Sequence, residues 1–367
     1  MKKNIGVIFG GRSTEHEVSI ESAKTVVENL SLAGYAVVPI YIPQRGAWRH
    51  VQPSTGMAGE KAGRTQVSGG GKRGKIEVSF EKESFLLDGR PLKLDAVFPL
   101  IHGSTGEDGI LQGFLELLGV AYVGSGVLAS AAGMDKVLSK DIARGRGLPV
   151  LPHVEIVRRD KDGIAAGIAA AKRLGLPLFV KPVQLGSSVG VTKVKAFKDL
   201  AGAIAFAFRF DSRVMIEKGV DRAREIVCGV LGSSLDAGSS VAGEVRPKGK
   251  HEFFDYEAKY LDDNGMDFLA PAPLSAKTAL KIRELSSEVF KALGCHGMAR
   301  VDFLVDPKKE SDFYFCEINT IPGFTSHSLY PTLWKNTGLE AVKLADRLVK
   351  LAFERQRARA GLKTVRK

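Results

Sequence analysis

The chain has 367 residues, 44% of them hydrophobic, with 53 Lys and Arg against 41 Asp and Glu, a net charge of +12 at neutral pH. That length exceeds what one core usually fills, so two or three domains are expected, and the ordinary apolar content excludes a disordered or fibrous chain. Cys228, Cys295 and Cys316 are scattered without CxxC spacing, which suggests neither a disulfide framework nor a thiolate metal site.

In the opening MKKNIGVIFGG, Asn4 to Phe9 reads as a strand and Gly10-Gly11 breaks it. Helical spacing then runs from Val18 to Leu32, and Tyr35 to Ile42 is extended again, a βαβ unit. The unit lacks a third glycine at dinucleotide spacing, and the chain lacks GxxxxGKS/T, so neither the Rossmann fingerprint nor the P-loop is met. The first apolar run is too short for a signal peptide and no later one approaches a membrane span, so a cytoplasmic protein is expected. Residues 52–75, rich in Gly and poor in apolar residues, read as an insertion loop. A hairpin-like IEVSFEKESFLLDG, the strand AVFPLI, the loop HGSTGEDG and a helix from about Ile110 follow.

Beyond Gly126 the pattern becomes helix (Ser130 to Arg146), strand, helix (Ile164 to Leu174) and the strand LPLFVKP. Strand and turn signals fill Val214 to Phe254, a helix covers Ala276 to Leu293, and a hairpin and a closing helix, Leu339 to Arg357, end the pattern. The reading is α/β in three domains, 1–126, 127–222 and 223–367. The basic excess concentrates at Lys61, Arg64, Lys72, Arg73 and Lys75 and at Arg355, Arg357, Arg359, Lys363, Arg366 and Lys367. A solvated loop and a frayed tail are therefore expected to carry the charge, and no specific nucleic-acid partner.

The most informative stretch is ARVDFLVDPKKESDFYFCEINTIPGFTSHS, from Ala299 to Ser328. Alternation puts Arg300 and Asp302 on one face of the first run, and Glu317 and Asn319 on one face of the second. If Val305 pairs with Tyr314, Asp302 falls opposite Glu317 and Arg300 opposite Asn319. Like charges placed so repel unless a cation joins them. Two carboxylates and an amide oxygen suit magnesium, which keeps positions open for water and phosphate oxygens.

VKPVQLGSSVGV places Lys181 at a strand end, followed by a turn whose N–H groups and Ser187 and Ser188 hydroxyls can line anionic oxygens. His102 with GEDG, and Glu15-His16-Glu17 at a helix start, offer polar groups for a substrate. DYEAKY places Lys259 and Tyr260 in a loop that reads as a flap or as plain surface.

Taken together, GGRSTEHEVS, MDK at 134–136, KPVQLGSSVGV, IEKG at 216–219, DYEAKY, ARVDFLV and CEINTIPGFTSHS resemble the D-alanine:D-alanine ligases, in order over nearly the whole chain. The resemblance implies a three-domain ATP-grasp fold, with an N-terminal Rossmann-like domain, that forms D-alanyl-D-alanine for peptidoglycan through an acyl phosphate. It implies Lys136, Lys181, Ser187, Ser188 and Lys259 on the ATP phosphates, and Glu217, the Lys218 backbone and Glu225 at adenine and ribose. Magnesium would sit on Asp302, Glu317 and Asn319, with manganese as a substitute and a monovalent cation as a further ion. Glu15 would hold the first D-alanine's ammonium, His102 its carboxylate, and Ser328 the second substrate's carboxylate. Arg300 and the Gly323 N–H would face the tetrahedral centre, while Ser187, Tyr260 and Glu15 would latch a flap. A homodimer is implied as well. One form of the family has an acidic residue where Leu185 stands, which leaves the details of that turn open. Two alternatives remain: a ligase that joins D-alanine to D-lactate or D-serine, and a polyanion-binding protein using the basic loop and tail.

Overall fold

The computed structural model describes residues 2–51, 74–157, 159–249 and 265–362. They form two compact units: the described residues of Met1–Val127, His296–Met298 and Ile321–Lys367, and those of Leu128–Cys295 and Ala299–Thr320. Among the described residues no helix is long and apolar enough to cross a membrane.

The first unit opens with β1 (Asn4–Gly10), α1 (His16–Leu32) and β2 (Ala36–Ile42), the expected βαβ. Then come β3 (Arg49–His50), β4 (Gly74–Ser79), β5 (Ser84–Leu87), β6 (Arg90–Leu92), β7 (Ala96–Pro99) and α2 (Ile110–Leu117). The sheet order is β6-β5-β4-β3-β2-β1-β7, with β1 parallel to both β2 and β7. Ser19 of α1 joins the central strands: its hydroxyl accepts from Gly10 N–H at 2.8 Å and donates to Leu100 O at 2.6 Å. The helix start is thereby fixed at the carboxyl ends of the parallel strands, where α/β sheets bind ligands. The end of the expected insertion, Gly74 and Lys75, belongs to β4; residues 52–73 lie outside the described residues.

The second unit holds two sheets. The smaller combines β8 (His153–Ile156), β9 (Leu178–Pro182), β10 (Thr192–Val194) and β11 (Val214–Lys218) in the antiparallel order β10-β9-β11-β8. The larger combines β12 (Arg224–Gly232), β13 (Ala237–Pro247), β14 (Met266–Leu269), β15 (Gly297–Val305) and β16 (Phe313–Asn319) in the order β14-β13-β12-β15-β16. Helices α3 (Val127–Met134), α4 (Lys136–Gly145), α5 (Lys161–Lys172), α6 (Leu200–Ala207) and α7 (Ala276–Ala292) cover them. Ile156, Leu178, Val180, Ile204 and Ile216 centre one core, and Ile226, Phe290, Val301, Phe303 and Phe315 the other.

Two helices differ from expectation. The single helix foreseen over Ser130–Arg146 is two, because Asp135 is extended (φ −80°, ψ 106°) and its carboxylate accepts the N–H groups of Val137 and Leu138, capping a new helix. The stretch LAGAIAFA, apolar nearly all round, gives no 3.6-residue stripe yet forms α6.

The chain returns to the first unit in α8 (Leu329–Asn336) and α9 (Ala341–Ala360). The tail was expected to fray from Arg355, but α9 continues to Ala360 and is tied down. Arg355 donates to Gly124 O at 2.5 Å and Tyr122 O at 3.1 Å, and stacks 3.9 Å from the Tyr122 ring centre. Arg359 pairs with both oxygens of Glu116. Long basic side chains cover apolar surface with their stems and reach carbonyls with their heads, so this charge is not merely solvated. Residues 363–367 lie outside the described residues.

Candidate active site

In the second unit, the β15–β16 register places Asp302 opposite Glu317 and Arg300 opposite Asn319, as the alternation predicted. The premise differs by one residue: Val305 pairs with Phe313, not Tyr314, and an irregularity between Asp302 and Phe303 leaves Cys316 as the extra residue of a bulge. The bulge reverses the phase of β16. Phe313 and Phe315 point into the core before it, whereas after it Ile318 does, and Glu317 and Asn319 take the more open face. Arg300 grips Asp302 through two bonds of 2.7 Å, and Lys136 Nζ lies 3.5 Å from Glu317. The opposed carboxylates are thus already neutralised by cations, and their all-oxygen donor set with Asn319 fits a hard divalent ion of the magnesium class.

Lys136 opens α4, where a lysine opposes the helix dipole. It is nevertheless 9% exposed and donates to Leu185 O at 2.7 Å, at the start of the Gly-Ser turn. Within that turn Ser187 (φ +55°) and Ser188 (φ +56°) are both left-handed, and Val189 N–H bonds Gly186 O at 3.2 Å. Two consecutive positive φ values closed by an i to i+3 bond form a type I′ pattern, which normally selects Asn and Gly. Serines held there cost about 1 kcal/mol or more each, a strain found at ligand clamps.

Lys181, on β9, donates to Glu217 Oε2 at 2.7 Å, and Lys140 Nζ lies 2.7 Å from Glu217 Oε1. Burial would raise the Glu217 carboxyl, but the two ammonium groups hold it down to about 2. Burial would likewise lower Lys181, yet Glu217 keeps it well above its ordinary value. Cys316 is pushed up to about 11 by burial, so its thiol adds no charge. The Lys218 N–H is taken by Pro152 O at 2.9 Å and its ammonium by Leu176 O. Glu225 stands on β12, opposite Val245. A cavity of about 590 Å³, not singled out from sequence, is lined by Leu176, Pro177, Lys193, Lys195, Asp221 and Arg222. Lys259 and Tyr260 lie outside the described residues.

In the first unit, Glu15 precedes the first turn of α1, and a Cβ on Gly103 would come within 3.1 Å of its carboxylate. Only glycine lets the His102 loop, left-handed here at φ +74°, approach so closely. His102 is buried. Its Nδ1 must carry a proton, since Ile321 O, which can only accept, lies 2.9 Å away. Its Nε2 is 3.3 Å from Ser22 Oγ, which accepts Phe324 N–H at 3.1 Å. His102 and Ser22 therefore fix the 321–324 loop. Burial would lower the imidazole pKa, but the carboxylates of Glu107 and Glu15 turn the shift upward; burial raises Glu107 itself. Glu107, noticed in sequence only as part of GEDG, stands 3.7 Å from His102. On the same loop a Cβ at Gly323 would meet Ser328 Oγ at 2.8 Å. Ser328 Oγ accepts Thr325 N–H at 2.9 Å and precedes α8, whose amino end favours an anion.

The family model described as D-ala D-ala ligase N-terminus matches residues 4–125, and that described as D-ala D-ala ligase C-terminus matches 142–350. The chain is 42% identical over 359 residues to a D-alanine--D-alanine ligase of Thermoanaerobacter sp. (strain X514), covering 96% of this chain and 97% of that one. It is 40% identical to D-alanine--D-alanine ligase A of Escherichia coli (strain K12), over 99% of both. Among solved structures, the D-alanine-D-alanine ligase from Coxiella burnetii superposes with a TM-score of 0.83 at 36% identity, over 98% of this chain and 96% of that one. The VanG D-Ala:D-Ser ligase from Enterococcus faecalis gives 0.82 at 36% identity, over 96% and 100%.

Proposed function

Because the chain belongs to the D-alanine:D-alanine ligase family, we propose that its two units divide the reaction, the first handling D-alanine and the second the nucleotide. The protein is an ADP-forming carbon-nitrogen ligase that joins two D-alanine molecules for peptidoglycan precursors. A carboxylate is a poor electrophile, so ATP first converts it to an acyl phosphate, which the second amine attacks with loss of phosphate.

In this reading Lys136, Lys181, Ser187 and Ser188 hold phosphate oxygens, with Glu217, Lys218 and Glu225 toward adenine and ribose. The carrying observation is that the Asp302/Glu317 pair and Lys136 stand on one side-chain cluster, 3.5 Å apart at Glu317. Asp302, Glu317 and Asn319 would hold magnesium, which neutralises charge on transferring phosphates when bound; manganese and a monovalent cation are further ions of this reading. Arg300 and the Gly323 N–H stabilise the developing oxyanion, the largest contribution in acyl transfer. Glu15 takes the first substrate's ammonium, His102 orients its carboxylate while fixing the Gly323 loop, and Ser328 takes the second carboxylate. The parts assigned to Lys259 and Tyr260 rest on the resemblance alone. We further propose functional segments 1–126, 127–222 and 223–367, a cytoplasmic location where ATP is available, and a homodimer.

The likeness to a D-Ala:D-Ser ligase makes D-serine the second reading for the attacking substrate. Phosphate release is measured with ATP and D-alanine separately and together, and products from mixed D-alanine, D-serine and D-lactate are identified by mass. D-alanyl-D-alanine as the main product is expected. A mixed dipeptide or ester in excess would transfer the assignment to the second reading, and release without D-alanine would reject ligation.

A further inference from the structure

Lys140 takes no part in the roles assigned above, yet it is fully buried. It projects from α4, its ammonium 2.7 Å from Glu217 Oε1 and donating to Phe315 O at 3.1 Å. The other Glu217 oxygen belongs to Lys181, also at 2.7 Å. One carboxylate thus stands between two ammonium groups, and the three side chains together carry a single positive charge. Lys181 is the most exposed of the three, its side chain 12% accessible against 1% for each of the others. A strut between α4, β11 and β16 needs no charge, since apolar side chains of similar volume bridge such positions as well or better.

We propose that Lys140 neutralises Glu217 so that the positive charge of Lys181 remains available to the phosphates of a nucleotide, which makes Lys140 an electrostatic positioning residue of that site. The inference rests on the reading of Lys181 as a phosphate ligand. Without Lys140, Glu217 is compensated by Lys181 alone. The pair becomes neutral, and in a poorly solvated site the phosphates lose an attraction that water does not replace. A merely mechanical strut predicts a less stable protein whose affinity for anions is unchanged.

The test is calorimetric titration of the full-length protein with ADP and magnesium, for wild type, Lys140→Gln and Lys140→Arg. Glutamine keeps a donor for Phe315 O and Glu217 Oε1 while removing the charge, so the buried acceptors stay satisfied and folding is retained. Lys140→Gln is expected to weaken ADP binding at least tenfold. Lys140→Arg, which keeps the single net positive charge of the cluster, is expected to bind within threefold of wild type. Unchanged affinity in Lys140→Gln, or a Lys140→Arg variant as weak as Lys140→Gln, overturns the inference. Wild-type protein that binds no ADP overturns the nucleotide reading itself, a separate result from either of these.

Discussion

Replacing Arg355 with alanine should destabilise the first unit far more than removing every residue after it. The guanidinium serves two buried carbonyls, Gly124 O at 2.5 Å and Tyr122 O at 3.1 Å, and lies 3.9 Å from the Tyr122 ring centre. A buried acceptor stripped of its donor costs about 1 to 3 kcal/mol, and a cation over an aromatic face contributes about 0.5 to 2. Taking the low end for the two carbonyls, which water reaches once the side chain is gone, gives about 2.5 to 4 kcal/mol in all. Deleting 356–367 removes the Gln356 bond to Gly119 O and the Arg359–Glu116 pair, both exposed. Screened contacts of that kind total about 1 kcal/mol, and ligation should stay within about threefold. Trp48 and Trp334 are the two tryptophans and both belong to the first unit, so urea unfolding followed by their fluorescence reads the relevant transition. Equal shifts in the two proteins, or a shift below about 1 kcal/mol for Arg355→Ala, would refute the reasoning.

Asp302→Asn or Glu317→Gln should abolish most turnover in a protein that still folds, because each removes a negative ligand from an ion that must neutralise phosphate charge; near wild-type phosphate release at ordinary magnesium would remove them from the metal site. Ser188→Gly should raise thermal stability by about 0.5 to 1 kcal/mol through relief of its left-handed conformation, while raising KM for ATP more than KM for D-alanine; a fall in stability would show that the hydroxyl outweighs the strain. The Glu217 carboxyl, held down to about 2, contributes stability that is present above its unfolded pKa of about 4.5 and lost as pH falls toward 2. The stability gap between wild type and Glu217→Gln should therefore narrow by about 3 kcal/mol over that window, since each pKa unit is worth about 1.4 kcal/mol; a gap independent of pH would remove the coupling to Lys140 and Lys181.

How far the sequence could be read depended on whether each feature leaves a periodic mark. The β15–β16 hairpin was legible because strand side chains alternate, so Arg300 with Asp302 and Glu317 with Asn319 declared their faces. The bulge at Cys316 was not, because strict alternation would put Phe313, Phe315, Glu317 and Asn319 on one face, and nothing in FYFCEIN marks the slip. The left-handed Ser187 and Ser188 were hidden for a related reason: serine does not advertise a positive φ as glycine does. Lys140 reads as one more polar residue on an amphipathic helix until three elements close over it. The hold of His102 and Ser22 on the Ile321–Phe324 loop joins residues about 220 and 300 positions apart, a pairing that no local pattern encodes. Charge counting failed at Arg355 because it treats every arginine as a solvated charge, whatever its stem packs against.

Closure of the first unit by the segment after Ile321 has a consequence for synthesis. Phe324 bonds Ser22, Tyr35 bonds Asp346 at 2.8 Å and Arg355 bonds Gly124, so residues made early wait for partners made some 230 to 310 residues later. The common vectorial order, in which the earliest stretch folds while the rest is still being made, is not open to this unit. At about 5 to 20 residues per second the wait lasts some tens of seconds, during which the carboxyl ends of β1 and β7 lack the loop that covers them. The second unit, whose strands lie between Leu128 and Thr320, has all its parts earlier. A released chain truncated after Thr320 should therefore carry a protease-resistant nucleotide-binding body beside an amino-terminal sheet that is still open to attack.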